Sequence, residues 1–232
     1  MRVKLHSKAS PATLCLASQS LARRRLVKKL LRSGFTNYRL KVVKSLADER
    51  AEERKFRREF NLGKQITRRD AKKMAQRLAD VKRAQAIVPR NPDTAFEASL
   101  VIGCDQLLFF PQEKDGRGVV LGKPGTHSRA RTMLRKLSGR KAYLITAMSI
   151  SRGHKIRSFT QVIELQFAML SRAEIEEVLL LDRPYGAAGS FLFEAHGANL
   201  FESVKSDDPT GIQGISVMRL RRVLTGAYLF ST

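Results

Sequence analysis

The stretch that decides the fold lies near the N-terminus, where residues 13–25 read TLCLASQSLARRR. Residues 13–17 are apolar or small, and this pattern predicts a buried strand. Ser18 and Ser20 lie in the turn that follows, and a basic helix with helical spacing of its apolar residues is predicted over 22–32, ending near Gly34. A strand that leads through a serine-rich turn into a helix is typical of α/β proteins.

Strand patterns and helix patterns continue to alternate along the rest of the chain. Further strands are predicted at 38–44, at 99–103 with continuation through residues 104–105, and in two hairpins, 107–110 with 119–121 and 142–151 with 156–168. Helices are predicted at 127–137, at 171–181 and at 214–224, and short strands near 190–193 and 198–203. We therefore predict an α/β fold with a mixed, twisted β-sheet and flanking helices. One domain is expected, with a core over 12–224 and a basic extension over 1–11.

Composition and length narrow the class of protein. The chain has 232 residues, of which 43% are hydrophobic and 28% charged, as in ordinary globular proteins. No apolar run is long enough for a membrane helix, and the first eleven residues lack the features of a secretory leader. A cytoplasmic protein is therefore expected. Cys15 and Cys104 lie in apolar runs, which predicts buried free thiols, and the four scattered histidines give no structural zinc pattern.

The positive charge is concentrated in the first part of the chain. The formal net charge is +23, and residues 1–90 hold 26 of the 44 Lys+Arg but only 7 of the 21 Asp+Glu. The densest segment is 50–83, which predicts one or two helices broken near 61–63. Two interpretations stay open. The segment is either a solvated helical surface with Glu–Arg pairs, or an attractor for the phosphates of nucleotides or nucleic acid.

Four places could carry chemistry. One of them is the polar, glycine-bracketed loop 209–214 before the last helix, for which a capping role alone is equally open. Ser18 and Ser20 at a helix start, followed by Arg23 and Arg24, could bind phosphate. Asp105 ends an apolar run, where catalytic groups of α/β proteins concentrate, although a turn-forming role is equally compatible. The tight turn LGKP at 121–124 presents one lysine without the spacing of a P-loop.

Taken in order, several blocks of the sequence match one family. They are LASQSLARR at 16–24, LADVKRAQAI at 78–87, VIGCDQ at 101–106, LGKP at 121–124, LSGRKAYLITAMSI at 137–150 and AGSFLFEAHGANLFESVKSDDPTGIQGISVMRL at 188–220. This order resembles the Maf family of nucleoside triphosphate pyrophosphatases over about 13–224, nearly the whole chain. The resemblance implies a fold like that of inosine-triphosphate pyrophosphatases, with two lobes around a deep cleft, and often a homodimer.

The resemblance also implies a reaction, hydrolysis between the α and β phosphates of a nucleoside triphosphate with Mg²⁺ or Mn²⁺. Asp105 aligns with the family's acid/base residue and is expected to hold the metal or orient water, with Glu49 as a second metal ligand. The cations that would hold the triphosphate are Arg23, Arg24, Lys82 and Lys123.

Three positions bear on the nucleobase. Family members that look specific for 7-methyl-GTP carry Trp, Gln and Glu where this chain has Ala22, Gln106 and Glu194. Two of the three match, and the missing Trp removes a stacking surface for a cationic base. A purely structural role is also open, with Gln106 satisfying backbone groups and Glu194 an exposed strand residue. Leu21 replaces the family's usual proline.

The leading prediction is a metal-dependent pyrophosphatase that acts on a non-standard or methylated, 7-methyl-GTP-like nucleotide. One alternative is a family member that acts on dTTP or UTP. Another is a basic, nucleic-acid-associated regulator of septum formation without catalysis, since the N-terminal charge would attract nucleic acid.

Overall fold

Seven strands form one mixed sheet in this computed structural model, which describes residues 11–86, 100–112 and 115–226. The strands are β1 (Ala12–Ala17), β2 (Tyr38–Val42), β3 (Leu100–Pro111), β4 (Gly118–Leu121), β5 (Lys141–Arg152), β6 (Lys155–Phe167) and β7 (Phe201–Lys205). Their spatial order is β2-β1-β3-β5-β6-β7, with β4 paired to β3. β1 runs parallel to β2 and β3, and the remaining pairs are antiparallel.

Helices cover the sheet within the described residues. They are α1 (Leu21–Arg32), α2 (Glu49–Glu59), α3 (Arg68–Ala84), α4 (His127–Leu137), α5 (Arg172–Asp182) and α6 (Val217–Leu224). The predicted break in the basic segment is confirmed, because α2 ends at Glu59 and α3 starts behind a capping box of Thr67 and Asp70. The prediction of a mixed α/β sheet with flanking helices is therefore confirmed.

The strand predicted at 190–193 was wrong, and the strand predicted at 198–203 starts later than expected. Residues 188–190 form a short 3₁₀ turn. A strand is excluded here because Gly189 and Ser190 both have positive φ (81° and 64°), which extended backbone does not allow. Residues 196–200 form a second 3₁₀ turn, so that β7 covers only the last part of the predicted 198–203 strand. Pro209–Gln213 is a third 3₁₀ turn.

The segments predicted at 99–105 and 107–110 are one strand. β5 pairs with β3 from Leu100 to Phe109, and this unbroken ladder keeps β3 extended through Asp105. Residue 99, the turn residue 114 and the basic extension up to residue 10 lie outside the described residues. Both cysteines are buried and free, as predicted. Among the described helices, none is long and apolar enough to cross a membrane.

A gap in strand pairing positions the site. β1 pairs with β3 up to the Ala17–Gly103 partners, and β4 pairs with the same edge of β3 only from the Leu108–Leu121 partners onward. Within the described part of the chain, residues 104–107 have no strand partner on this edge. The segments that leave β1 and β4 both start at the gap. It separates two groups of elements, β1, β2, α1 and α6 on one side and β4, α4 and α5 on the other.

Candidate active site

Gly103 allows α3 to lie directly on β3. A Cβ atom at this residue would lie 2.3 Å from the backbone oxygen of Ala79 and 2.5 Å from the backbone nitrogen of Arg83. Asp105 is two residues further along the strand and therefore faces the same helix. Lys82 lies on α3 between Ala79 and Arg83, and its Nζ is 2.5 Å from Asp105 Oδ1. Gly103 thus leaves room for α3 against β3, and Asp105 forms an ion pair with Lys82 of that helix.

A series of alternating charges runs from the strand to the surface. Lys82 Nζ also lies 2.9 Å from Glu49 Oε1, and Lys123 Nζ lies 3.4 Å from Glu49 Oε2. Side-chain exposure rises along the series, from 5% for Asp105 and 12% for Lys82 to 41% for Glu49 and 58% for Lys123. We call these four residues the charge relay cluster. All four were candidates from the sequence, and the fold brings them together.

Helix and strand ends hold the outer members of this cluster. Glu49 is the first residue of α2, where the helix dipole favours a carboxylate, and Asp48 caps the helix by accepting the backbone N–H of Ala51 at 3.0 Å. Lys123 follows the end of β4 at the gap in the sheet. Glu49 is therefore presented by one helix start and met by lysines from two other elements.

Burial and mutual attraction shift the pKa values of the cluster. Burial raises the pKa of Asp105 above its usual value, against the opposing pull of Lys82. Burial opposes the charge of Lys82, but Asp105 and Glu49 outweigh it and raise the pKa of the lysine. Burial also opposes ionisation of Glu49, but Lys82 and Lys123 outweigh it and lower the pKa of that carboxyl. Lys82 is thus a cation at neutral pH.

The second oxygen of Asp105 has no hydrogen-bond partner among the described residues. Asp105 Oδ2 is buried and makes no hydrogen bond within the described part of the chain. A buried carboxylate oxygen without a donor is costly, because it has lost water and gained nothing in exchange. This oxygen can therefore accept a proton or bind a cation. No group of three or more His, Cys, Asp and Glu that could hold a metal occurs among the described residues.

Arg23 lies beside the gap and is held by three acceptors. Its Nε donates to the backbone oxygen of Gly214 at 2.8 Å, and its Nη1 donates to Ser18 Oγ and to the backbone oxygen of Cys104, both at 3.2 Å. The oxygen of Cys104 belongs to the unpaired edge of β3. Gly214 is required here, because its φ is +91° and a Cβ atom would lie 2.6 Å from Arg23 Nε.

The turn after β1 supports this arginine. Ser20 caps α1 by accepting the backbone N–H of Arg23 at 3.3 Å, and its own N–H donates to Ser18 Oγ at 3.3 Å. The positive charge of Arg23 also acts on the carboxyl of Asp105, where it favours ionisation. Ser18, Ser20 and Arg23 therefore form one unit on the β1 side of the gap.

The side chains of three other candidates from the sequence form no described hydrogen bond with this unit. Arg24 is half-buried on α1, and Ala22 is buried with 7% exposure, so its methyl group belongs to the packing of that helix. Glu194 is exposed in the turn before His196, which bonds to Asp182 of α5. Among the described hydrogen bonds and ion pairs, none joins Glu194 to Gln106 or to the charge relay cluster.

Gln106 faces away from Asp105. Strand alternation turns its side chain to the opposite face of the sheet, where Nε2 donates to Thr146 Oγ1 at 2.9 Å and to the backbone oxygens of Gly211 and Ile212 at 3.1 Å. Thr146 Oγ1 donates to the same Gly211 oxygen at 2.8 Å. These bonds match the structural role left open by the sequence, the satisfaction of backbone groups.

Asp208 is an organising residue that we did not select from the sequence. Its Oδ1 accepts the backbone N–H and the hydroxyl of Thr210 at 3.0 and 2.6 Å, and its Oδ2 accepts the hydroxyl of Ser216 at 2.6 Å and the N–H of Met218 at 3.0 Å. These bonds fix the loop that presents the Gly214 oxygen to Arg23. An Asp directly before a Pro that opens a helical turn is a capping pattern, and this signal could have identified it.

Comparison with known proteins agrees with this architecture. Residues 13–227 match the model of the Maf-like protein family. A protein of Burkholderia pseudomallei is 33% identical over 225 residues, which cover 96% of this chain and 91% of the relative. A protein of Bdellovibrio bacteriovorus is 34% identical over 156 residues, which cover 67% of this chain and 75% of the relative. Both relatives are named 7-methyl-GTP pyrophosphatase. The family match and the relatives together show that the chain belongs to the Maf-like protein family.

Proposed function

We propose that this chain is a nucleoside triphosphate pyrophosphatase that hydrolyses 7-methyl-GTP to 7-methyl-GMP and pyrophosphate. The observation that carries the proposal is the charge relay cluster, with the unpartnered oxygen of Asp105 at its buried end. The names of the relatives in Burkholderia and Bdellovibrio support the substrate.

The cations at the gap suit a triphosphate. Lys123 is mostly exposed, and Arg23 presents a guanidinium group on the other side, so a polyanion in the gap would meet charge from both groups of elements. Guanidinium and ammonium groups stabilise the charge that develops on a leaving pyrophosphate. Arg24 and the hydroxyls of Ser18 and Ser20 are proposed as further phosphate contacts, since they belong to the same turn and helix start.

Asp105 is proposed to orient and deprotonate the attacking water. Its Oδ1 is held by Lys82, and its Oδ2 is left to accept the proton of a water that attacks the α-phosphorus. The raised pKa of this carboxyl makes it a stronger base than an exposed aspartate. Lys82 acts as a positioning cation, because it fixes Asp105 and at the same time joins it to Glu49.

The same carboxylates fit a divalent cation. Mg²⁺ in nucleotide sites is held by one or two carboxylates together with substrate phosphates, and Asp105 Oδ2 and Glu49 supply such a set. Asp105 and Glu49 are therefore proposed as the ligands of Mg²⁺ or Mn²⁺. When bound, such an ion would neutralise charge on the phosphates. The ammonium group of Lys82 lies between the same two carboxylates and pairs with both.

Selection of the base is proposed to involve Gln106 and Glu194. The described hydrogen bonds of Gln106 all use Nε2, which leaves Oε1 as its acceptor. Glu194 is exposed and could accept the N–H groups of a guanine edge. Ala22 is buried, so it offers no stacking surface, and a methylated base would be recognised by polar contacts alone.

A substrate panel tests the proposal. Hydrolysis of 7-methyl-GTP, GTP, UTP, dTTP and CTP is measured with Mg²⁺ and with Mn²⁺, and pyrophosphate and orthophosphate are assayed separately. We expect the highest kcat/KM for 7-methyl-GTP, with pyrophosphate as the product. A higher kcat/KM for UTP or dTTP would favour the alternative substrate class, and equal values would mean that Gln106 and Glu194 do not select the base. Failure of folded protein to hydrolyse any nucleotide would contradict the proposed function.

Assembly and location stay predictions. A homodimer is expected from the family resemblance, and light scattering of the purified chain measures the mass that decides it. A cytoplasmic location and a role in septum formation are likewise untested. Microscopy of a fluorescent fusion during division would show whether the protein is spread through the cytoplasm or gathered at the septum.

A further inference from the structure

Part of the basic segment 50–83 lines a groove that lies outside the proposed hydrolytic site. The groove has a volume of about 640 Å³ and runs between the N-terminal half of α3 and strand β6. Four cationic side chains of the helix are among the residues that line it, together with three polar residues. The cations are Arg68, Arg69, Lys72 and Lys73, and the polar residues include Gln76 and Thr160. We call it the basic groove.

The cations of the groove are spaced along two rows of the helix. Arg68 and Lys72 are four residues apart, as are Arg69 and Lys73, so each pair lies one turn apart on the same face. The Arg68 guanidinium lies 4.4 Å from the centre of the Tyr143 ring, which holds it toward the sheet. Lys73 lies 5.5 Å from the ring centre of Phe60, which is 45% exposed. The rows therefore present repeated positive charge over more than one helical turn.

Carboxylates near the groove are engaged with other partners. Asp70 accepts the backbone N–H and the hydroxyl of Thr67 in the capping box, at 3.1 and 2.6 Å. Glu59 is ion-paired with Arg77 at 2.8 Å, and Glu164 on β6 with Lys141 at 2.9 Å. Within the part of the chain that the structure describes, none of the four groove cations forms an ion pair.

The groove is separate from the charge relay cluster. Lys72 and Lys82 are ten residues apart on α3, which at 1.5 Å per residue places them about 15 Å apart along the helix axis. Lys82 meets β3 at the gap, whereas Gln76 in the groove accepts the hydroxyl of Thr160 on β6 at 2.9 Å. Strand β5 lies between β3 and β6. The two ends of the helix thus serve different parts of the sheet.

From these observations we infer that the basic groove binds the phosphodiester backbone of a nucleic acid. The four exposed cations form no ion pair in the described part of the chain, although the charge of Arg68 acts on Glu164 at longer range. Such a row of cations suits a chain of regularly spaced phosphates, which releases counterions on binding. A single phosphate would be better held by buried donors that converge on one point, and the groove is open and lined by exposed ends of long side chains. Thr160 and Gln76 add polar groups at its floor.

The test compares two pairs of surface lysines. Binding of a fluorescent single-stranded oligonucleotide and of its duplex is measured by anisotropy at several salt concentrations. The wild type is compared with the double variant Lys72→Gln/Lys73→Gln and with a matched control, Lys28→Gln/Lys29→Gln, which removes two exposed lysines from α1. Thermal melting of each variant checks that it is folded.

We expect the groove variant to bind more weakly and the slope of log K against log salt to fall in magnitude by about 1.4 for the single strand. The control is expected to keep the wild-type slope. Stronger weakening for the duplex than for the single strand would identify double-stranded nucleic acid as the ligand, and the reverse would identify the single strand. Equal losses in the two double variants, or an unchanged slope in the groove variant, would overturn the inference.

Discussion

Both ends of α3 carry lysines, but the lysine at the C-terminal end is mostly buried and ion-paired, whereas those in the N-terminal half are exposed. At the C-terminal end, Lys82 is 12% exposed and lies 2.5 and 2.9 Å from two carboxylates. In the N-terminal half, Lys72 and Lys73 are exposed and form no ion pair in the described part of the chain. The comparison teaches that lysines on one helix can differ in environment although their charge is the same. Lys82 differs from the other two lysines because it forms ion pairs with two carboxylates, those of Asp105 and Glu49.

The difference has energetic consequences. A buried charge that loses its partner is left without water or counterion, which costs several kcal/mol, whereas an exposed pair contributes about 0–1 kcal/mol. Substitutions at the two ends of the helix should therefore differ in size and in kind. The predictions that follow would break or sharpen this contrast, from the largest effect to the smallest.

The largest effect is expected for Asp105→Asn. The amide cannot accept the proton of the attacking water, so kcat for 7-methyl-GTP should fall by about 10²- to 10⁴-fold. The matched control is Asp207→Asn, at an exposed aspartate, which should keep wild-type kcat. Pyrophosphate release under saturating nucleotide gives both values. Full activity of Asp105→Asn would remove this residue from the mechanism.

Substitution of lysine by glutamine at each end of α3 tests the contrast directly. Lys82→Gln leaves Asp105 buried beside a neutral side chain, so the free energy of unfolding should drop by about 3–5 kcal/mol. Lys72→Gln, in the same helix, should change it by less than about 0.5 kcal/mol, because the side chain is solvated. Urea unfolding of the two variants measures the difference. Equal effects would mean that burial and pairing of Lys82 add nothing to stability.

The approach of α3 to β3 depends on Gly103. In Gly103→Ala the new methyl group meets backbone atoms of the helix, which cannot rotate away, and we expect a loss of about 1–3 kcal/mol. Gly63→Ala is the control, because a Cβ atom there meets nothing within 4 Å. Melting temperatures report both changes. A variant at residue 103 as stable as the control would contradict the close contact that brings Lys82 to Asp105.

The last prediction concerns the pH dependence of the Asp208 loop, whose effect on stability is of the same order as that of Gly103→Ala. Burial opposes ionisation of Asp208, but the hydroxyls of Ser216 and Thr210 and two backbone N–H groups outweigh it and lower its pKa. A lowered folded-state pKa stabilises the protein above the unfolded-state pKa, near 3.8, and this stability is lost as the pH falls through the folded-state value.

Asp208→Asn should therefore be less stable than the wild type at neutral pH, by about 1–3 kcal/mol, since it loses charged acceptors for buried donors. The difference between the two proteins should shrink as the pH falls below about 4. Urea unfolding at a series of pH values measures it, with Asp207→Asn as the exposed control. A difference that is independent of pH would show that the ionised carboxylate is not the stabilising species.

The sequence predicted much of the fold because strand and helix patterns are local. The helix predicted at 171–181 and the hairpin predicted at 142–151 and 156–168 are confirmed as α5 and as β5 with β6. The positive φ values of Gly189 and Ser190, in contrast, were not visible in the apolar run that follows them. That run resembles a strand in composition alone. Its conformation depends on the packing around Gly189, which is a tertiary effect.

The site was predicted unevenly for a physical reason. Lys82, Glu49 and Lys123 lie far from Asp105 in sequence, and only the order of the family-like blocks suggested that they meet. Gln106 directly follows Asp105, yet strand alternation places it on the other face of the sheet. The role of Asp208 depends on four hydrogen bonds that close a loop.

The central claim is that water positioned by Asp105 attacks the α-phosphorus while the cations at the gap hold the departing phosphates. Hydrolysis of 7-methyl-GTP in water enriched in oxygen-18 tests it most directly, with the products resolved by mass spectrometry. The account predicts that the heavy oxygen enters 7-methyl-GMP and that pyrophosphate carries none. Heavy oxygen in pyrophosphate or in orthophosphate would contradict it, because the attack would then have occurred at the β- or γ-phosphorus.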